Sequence, residues 1–130
     1  MSQVLIDTQA LIWFAENDVS ISKRALSLVD DPATARLTSV ACLWEMVIKI
    51  GIKKLTLKSG RLPQFISILK ANQIDIIPVT LDDALAVADL PQLAHKDPFD
   101  RLIAAQCLRQ DLTLVSIDEA FDSYGVKRIW

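Results

Sequence analysis

Residues 4–14 read VLIDTQALIWF, and the order of patterns inside this stretch sets the fold class. Val4, Leu5 and Ile6 form a short continuous apolar run, and a helical spacing of Leu11, Ile12, Phe14 and Ala15 follows at once. A short unbroken apolar run of this kind reads as a buried strand. Similar runs recur at 36–38, 74–79, 112–115 and 127–130, with helical spacings at 8–16, 21–30, 40–52, 62–72, 81–89, 99–110 and 119–124. Strands alternating with helices build parallel βαβ units. The expectation is a three-layer α/β fold, a parallel sheet of about five strands covered by helices on both faces. Helix starts agree with it. Thr80-Leu81-Asp82-Asp83 has the form of a capping box behind the third strand. In Asp97-Pro98-Phe99-Asp100 an N-cap acid precedes Pro at the first helical position.

The whole chain of 130 residues is 52% hydrophobic and 23% charged, with three Gly and five Pro. At this size a chain buries roughly two-thirds of the surface it exposes when unfolded, enough for a core without disulfide or metal staples. One domain over 1–130 is expected, and disordered, collagenous and knottin-like classes are excluded. There is no internal repeat and no low-complexity segment. Every long apolar stretch is broken well before the roughly 18–20 residues of a membrane-spanning helix. Met1-Ser2-Gln3 has no cationic region of the kind that opens a secretory signal, so a cytoplasmic protein with no membrane partner is expected. Cys42 and Cys107 lie in apolar helical patterns without CxxC spacing and read as core thiols.

The formal net charge of −2 argues against a protein that grips nucleic acid by bulk positive charge. Lys49, Lys53, Lys54, Lys58 and Arg61 nevertheless form a stretch with five cations and no anion. It reads either as a phosphate-binding strip or as a solvated helix end and loop. Lys53 and Lys54 lie about two turns beyond Glu45 if the helix runs on, and past its end if it stops at Gly51.

In an open parallel sheet, ligands bind beyond the carboxyl ends of the strands. Four acids fall there: Asp7 ends the first strand, Glu45 lies on the helix after the second, Asp100 opens the helix before the fourth, and Asp118 follows the fourth. Helix capping accounts equally for Asp7 and Asp118, and a first-turn position for Asp100. Glu45 lies six residues past the candidate N-cap Ser39, too deep to cap, which leaves an i,i+4 pair with Lys49 as its structural role. Carboxylates gathered in one crevice repel one another, and a hard divalent cation with oxygen ligands resolves the repulsion. Mg²⁺ or Mn²⁺ at such a crevice suits phosphodiester cleavage.

VLIDTQALIWF at 4–14, SVACLWEMVIKIGIKKL at 39–55, HKDPFDRLIAAQ at 95–106 and LVSIDEAFDSYGVKRIW at 114–130 together resemble a PIN domain of the VapC-type toxin family, the RNase half of bacterial toxin–antitoxin pairs. The resemblance spans nearly the whole chain. It implies a PIN-like fold in which Asp7, Glu45, Asp100 and Asp118 hold Mg²⁺ or Mn²⁺ and cleave RNA, leaving a 3′ hydroxyl and a 5′ phosphate. Thr8 and Ser39 match small hydroxyl positions that support the acids, and N-capping explains Ser39 as well. Many members carry His where this chain has Gln9. The resemblance also implies a homodimer and a small antitoxin that wraps the toxin and obstructs the acidic site. For the RNA substrate, Lys49, Lys53 and Lys54 are the candidate phosphate contacts.

Other chemistry is poorly served. His95 is the single His and reads as a loop residue, and neither Cys carries a nucleophile signature. Asp97 competes with Asp100 for a cation, but an N-cap before Pro98 accounts for it. The alternative function is a catalytically silent PIN-like module that acts only by binding a protein partner. Trp13, Phe14 and Trp130 would then mark contacts rather than core.

Overall fold

The computed structural model describes residues 3–92 and 97–130; the expected loop position of His95 lies outside them. Five strands, β1 (Gln3–Ile6), β2 (Ala35–Ser39), β3 (Asp75–Ile77), β4 (Thr113–Val115) and β5 (Arg128–Ile129), form one sheet in the order β3-β2-β1-β4-β5. Every pairing is parallel. The helices are α1 (Thr8–Ala15), α2 (Lys23–Val29), α3 (Val40–Gly51), α4 (Leu62–Ala71), α5 (Leu81–Ala86) and α6 (Pro98–Gln110), with 3₁₀ turns at Val87–Asp89 and Glu119–Tyr124.

Alternate residues of β1 feed two separate cores, which is why its apolar run is unbroken. Val4 and Ile6 pack with Ala10, Leu11, Met46, Phe65 and Leu69, from α1, α3 and α4. Leu5 points the other way, with Cys42, Ile103, Leu114, Phe121 and Tyr124, from α3, α6, β4 and the second 3₁₀ turn. The expected helix at 119–124 is therefore a 3₁₀ turn, capped by Asp118 and stopped by Gly125 at φ 81°, within too few residues for a regular helix. The end of the expected 81–89 helix tightens in the same way.

Chain direction across the sheet reverses once. From β1 it steps outward to β2 and β3, then returns to the other side of β1 as β4. The carboxyl ends of β1 and β4 flank that switch point, where an open α/β sheet leaves a crevice.

Two end details matter for the site. α3 stops at Gly51, and Lys53 takes a left-handed conformation at φ 61°. The Lys54 N–H donates to Lys49 O at 2.8 Å and the Lys53 N–H to Ile50 O at 3.1 Å, a Schellman end that turns the chain sharply. Across the molecule, Asp83 on α5 is fully buried and accepts from Gln106 Nε2 at 3.0 Å and Arg109 Nε at 2.8 Å, clasping α5 to α6. Cys42 and Cys107 are buried and free. Among the described residues, no helix is long and apolar enough to cross a membrane.

Candidate active site

Asp7 extends the β1–β4 ladder by one rung: its N–H donates to Val115 O at 3.0 Å, the residue paired with Ile6. Asp7 and Ser116 thus stand side by side just past two neighbouring strand ends. Ser116 Oγ donates to Asp7 Oδ2 at 2.7 Å, and Asp7 Oδ1 accepts the Thr8 N–H at 2.8 Å. Asp7 is therefore the N-cap of α1 while its carboxylate also faces the crevice. Ser116 Oγ accepts the Asp118 N–H at 3.0 Å, and Asp118 caps the following 3₁₀ turn through the Ala120 N–H at 2.9 Å. One buried hydroxyl so ties two of the four expected acids together.

Glu45 arrives from the opposite side, on the second turn of α3. Its Oε1 accepts from Thr8 Oγ1 at 2.6 Å and its Oε2 pairs with Lys49 Nζ at 3.1 Å. Ser39 does not line the crevice; its buried Oγ accepts the Ala41 N–H at 3.0 Å and starts the helix that carries Glu45. Asp97 Oδ1 takes the N–H groups of Phe99 and Asp100, which sets Asp100 in the first turn of α6. These elements close on one cleft of about 720 Å³ lined by Asp7, Glu45, Asp97, Asp100 and Asp118, together with Lys49 and Lys54. Thr8 and Gln9 complete its polar wall.

The cationic stretch divides at the end of α3. Lys49 and Lys54 face the acids, whereas Lys53 and Arg61 line a second, largely apolar cavity of about 600 Å³ with Val47, Ile50 and Leu57. Lys53 and Lys54 border different cavities, which meet at Leu55, because the Schellman turn separates them. Ser116 is the residue that sequence reasoning passed over. Its signal was a hydroxyl one position past a strand, which means nothing until that strand is known to lie beside β1.

Burial pushes the Asp7 carboxyl up to about 6. The hydrogen bonds from Ser116 and Thr8 oppose the rise, and the charges of Glu45 and Asp118 add to it. A carboxylate held at a loss among other carboxylates is the electrostatic state that a cation relieves. The donors are carboxylates and hydroxyls, the hard oxygen set of Mg²⁺ and Mn²⁺. Among the described residues no three His, Cys, Asp or Glu side chains converge into a ready-made cage. Burial pushes the Cys42 thiol up to about 12, which removes it as a nucleophile.

A parallel α/β sheet with an acid-lined cleft at its switch point places carboxylates where open sheets of this class hold their ligands. The chain belongs to the PIN domain family: the family's sequence model matches residues 4–127, and the family is one of nucleases. No curated protein matches the sequence. Among solved structures, the fold is similar to that in VapBC2 from Rickettsia felis bound to a promoter DNA fragment, at TM-score 0.69 and 17% identity over 98% of this chain and 97% of that one. A toxin–antitoxin complex from Klebsiella pneumoniae gives TM-score 0.62 and 18% identity over 98% and 96%. VapBC-5 from Mycobacterium tuberculosis, a member of the VapBC family of toxin–antitoxin systems, gives 0.59 and 19% over 99% and 97%.

Proposed function

We propose that this chain is a Mg²⁺- or Mn²⁺-dependent endoribonuclease, the toxin half of a toxin–antitoxin pair, with Asp7, Glu45, Asp100 and Asp118 as its metal-holding and catalytic residues. The observation that carries the proposal is Asp7 itself: a carboxylate buried at the sheet's switch point, facing a cleft with four further acids. When bound there, a divalent cation supplies the charge that activates water near neutral pH and stabilises the leaving oxygen. The chain does the rest. Ser116 and Thr8 fix the Asp7 carboxylate, Thr8 fixes Glu45, and Asp97 sets the helix end that presents Asp100. Lys49 and Lys54 supply positive charge to phosphates that the acids alone would repel.

Solved neighbours that are toxin–antitoxin complexes support an antitoxin as partner. So does the apolar surface of α3, where Trp44 is 57% and Val47 51% exposed. Cytoplasmic action, a single domain and a homodimer complete the reading. The test is cleavage of single-stranded RNA by purified protein with Mg²⁺ or Mn²⁺, with chelator, and by Asp7→Asn. Cleavage is expected only from wild type with metal, leaving 5′-phosphate ends. Undiminished cleavage by folded Asp7→Asn would place the active site elsewhere. Tight binding of a protein partner with no cleavage under any divalent ion would favour the silent module.

A further inference from the structure

Both oxygens of Glu45 are engaged within the chain, and the two engagements differ in kind. Thr8 Oγ1, donating at 2.6 Å, belongs to a buried residue in the first turn of α1 and is fixed by it. Lys49 Nζ, at 3.1 Å, ends a flexible side chain that is 47% exposed, while Glu45 is 12% exposed. A helical Glu–Lys pair of this spacing is worth a few tenths of a kcal/mol, so little holds the ammonium in place. Lys49 also lines the same cleft as Asp7, Asp97, Asp100 and Asp118, which offers no other cation except Lys54 among its described lining.

We propose that Lys49 is the built-in counter-ion of this cleft: it occupies Glu45 while no divalent cation is bound, yields Glu45 when one binds, and then holds an RNA phosphate beside the scissile one. The inference rests on the metal-dependent reading above and states how that site changes hands. The geometry supplies each requirement. Glu45 is held from behind by Thr8, so losing Lys49 does not release its carboxylate, and its Oε2 is the oxygen exchanged between ammonium and metal. The lysine stem is anchored on α3 one turn from Glu45, so the ammonium stays within the cleft after it leaves. A point charge on a rotatable stem can make this exchange, whereas a guanidinium fork would grip the carboxylate with two bonds. Lys49 thereby neutralises Glu45 in the metal-free protein and contacts phosphate in the loaded one.

The test compares Mn²⁺ affinity, by titration calorimetry without RNA, in wild type, Lys49→Met and Lys54→Met, all checked for folding by circular dichroism. Each variant removes one lysine from the cleft, but only Lys49→Met frees Glu45. The expected result is that Lys49→Met tightens Mn²⁺ binding about twofold beyond Lys54→Met, the range of one i,i+4 helical ion pair. At saturating Mg²⁺, the same Lys49→Met variant should bind a short single-stranded phosphorothioate RNA several-fold more weakly, with a salt slope lower by about one. Lys49→Arg should recover RNA binding without the gain in Mn²⁺ affinity. Equal effects of the two Met variants on Mn²⁺ overturn the counter-ion role, and unchanged RNA affinity overturns the handover. If wild type binds no Mn²⁺, the metal-dependent reading itself has failed, a result told apart by the silence of all three proteins in the first titration.

Discussion

Asp7 carries a cost that its neighbours share unequally. Its carboxyl sits at about 6 in the folded chain against an ordinary 3.8, chiefly because it is buried. The folded state therefore binds this proton more tightly than the unfolded state, and stability falls as pH rises through the interval between those values. At neutral pH the ionised group costs about 3 kcal/mol. Asp7→Asn removes that cost but sets an amide N–H against the Ser116 hydroxyl, at about 1 kcal/mol. In chelator at pH 7.5 the variant should be more stable than wild type by about 2 kcal/mol, and below about pH 4.5 the order should reverse, by up to about 1 kcal/mol. Urea denaturation at several pH values checks this, and an Asn variant less stable at pH 7.5 would refute the burial penalty. Loss of cleavage with a gain in stability separates a functional acid from a structural one. Asp7 and Asp118 were legible as strand-end acids, each with a capping role that the structure also shows. Ser116 was not, since its meaning comes from a partner 109 positions away.

Helix starts were the most readable features because they are written locally. The Thr80/Asp83 capping box and the Asp97 cap before Pro98 stand where the sequence put them. What Asp83 does beyond capping was hidden, for its other partners lie on α6. Burial alone would raise its carboxyl, yet hydrogen bonds from Thr80, Gln106 and Arg109 hold it at about 2. Its contribution is thus present above the ordinary carboxylate range and is lost as pH falls toward 2. Asp83→Ala removes one acceptor from the Gln106 amide, which keeps its bond to Pro78 O, and the partner of Arg109, whose guanidinium reaches solvent; with the lost cap it should destabilise the fold by about 2 kcal/mol. Thermal unfolding at pH 7 measures it; a loss well under 1 kcal/mol would mean α5 and α6 are held by apolar contact alone. The path of the chain past Gly51 was equally unreadable, because a left-handed Lys53 is not marked by the Gly or Asn usual at that position.

Taken whole, the molecule sorts its charges by topology. The sheet order sets β1 between β2 and β4, and the switch beside it gathers acids from four separate segments. The strand runs and their alternation with helices announced a parallel sheet, but the order of strands is decided by packing between distant segments and is not written in any one of them. The Schellman end of α3 then leaves Lys54 with the acids and Lys53 with the apolar cavity. Charge reversal should expose the division: Lys54→Glu weakens RNA binding and lowers its salt slope by about one, while Lys53→Glu changes both far less. Equal losses, read by fluorescence anisotropy across a salt series, would mean that both lysines reach the nucleic acid. The switch point also bears on how the protein is made. β1 is synthesised before β4, yet the two can pair only after residue 115 has been translated, and the Asp7–Ser116–Asp118 linkage needs three residues more. A nascent chain therefore carries Asp7 without its Ser116 partner until the segment through residue 118 has emerged, and the acid-lined cleft is among the last features of this domain to take shape.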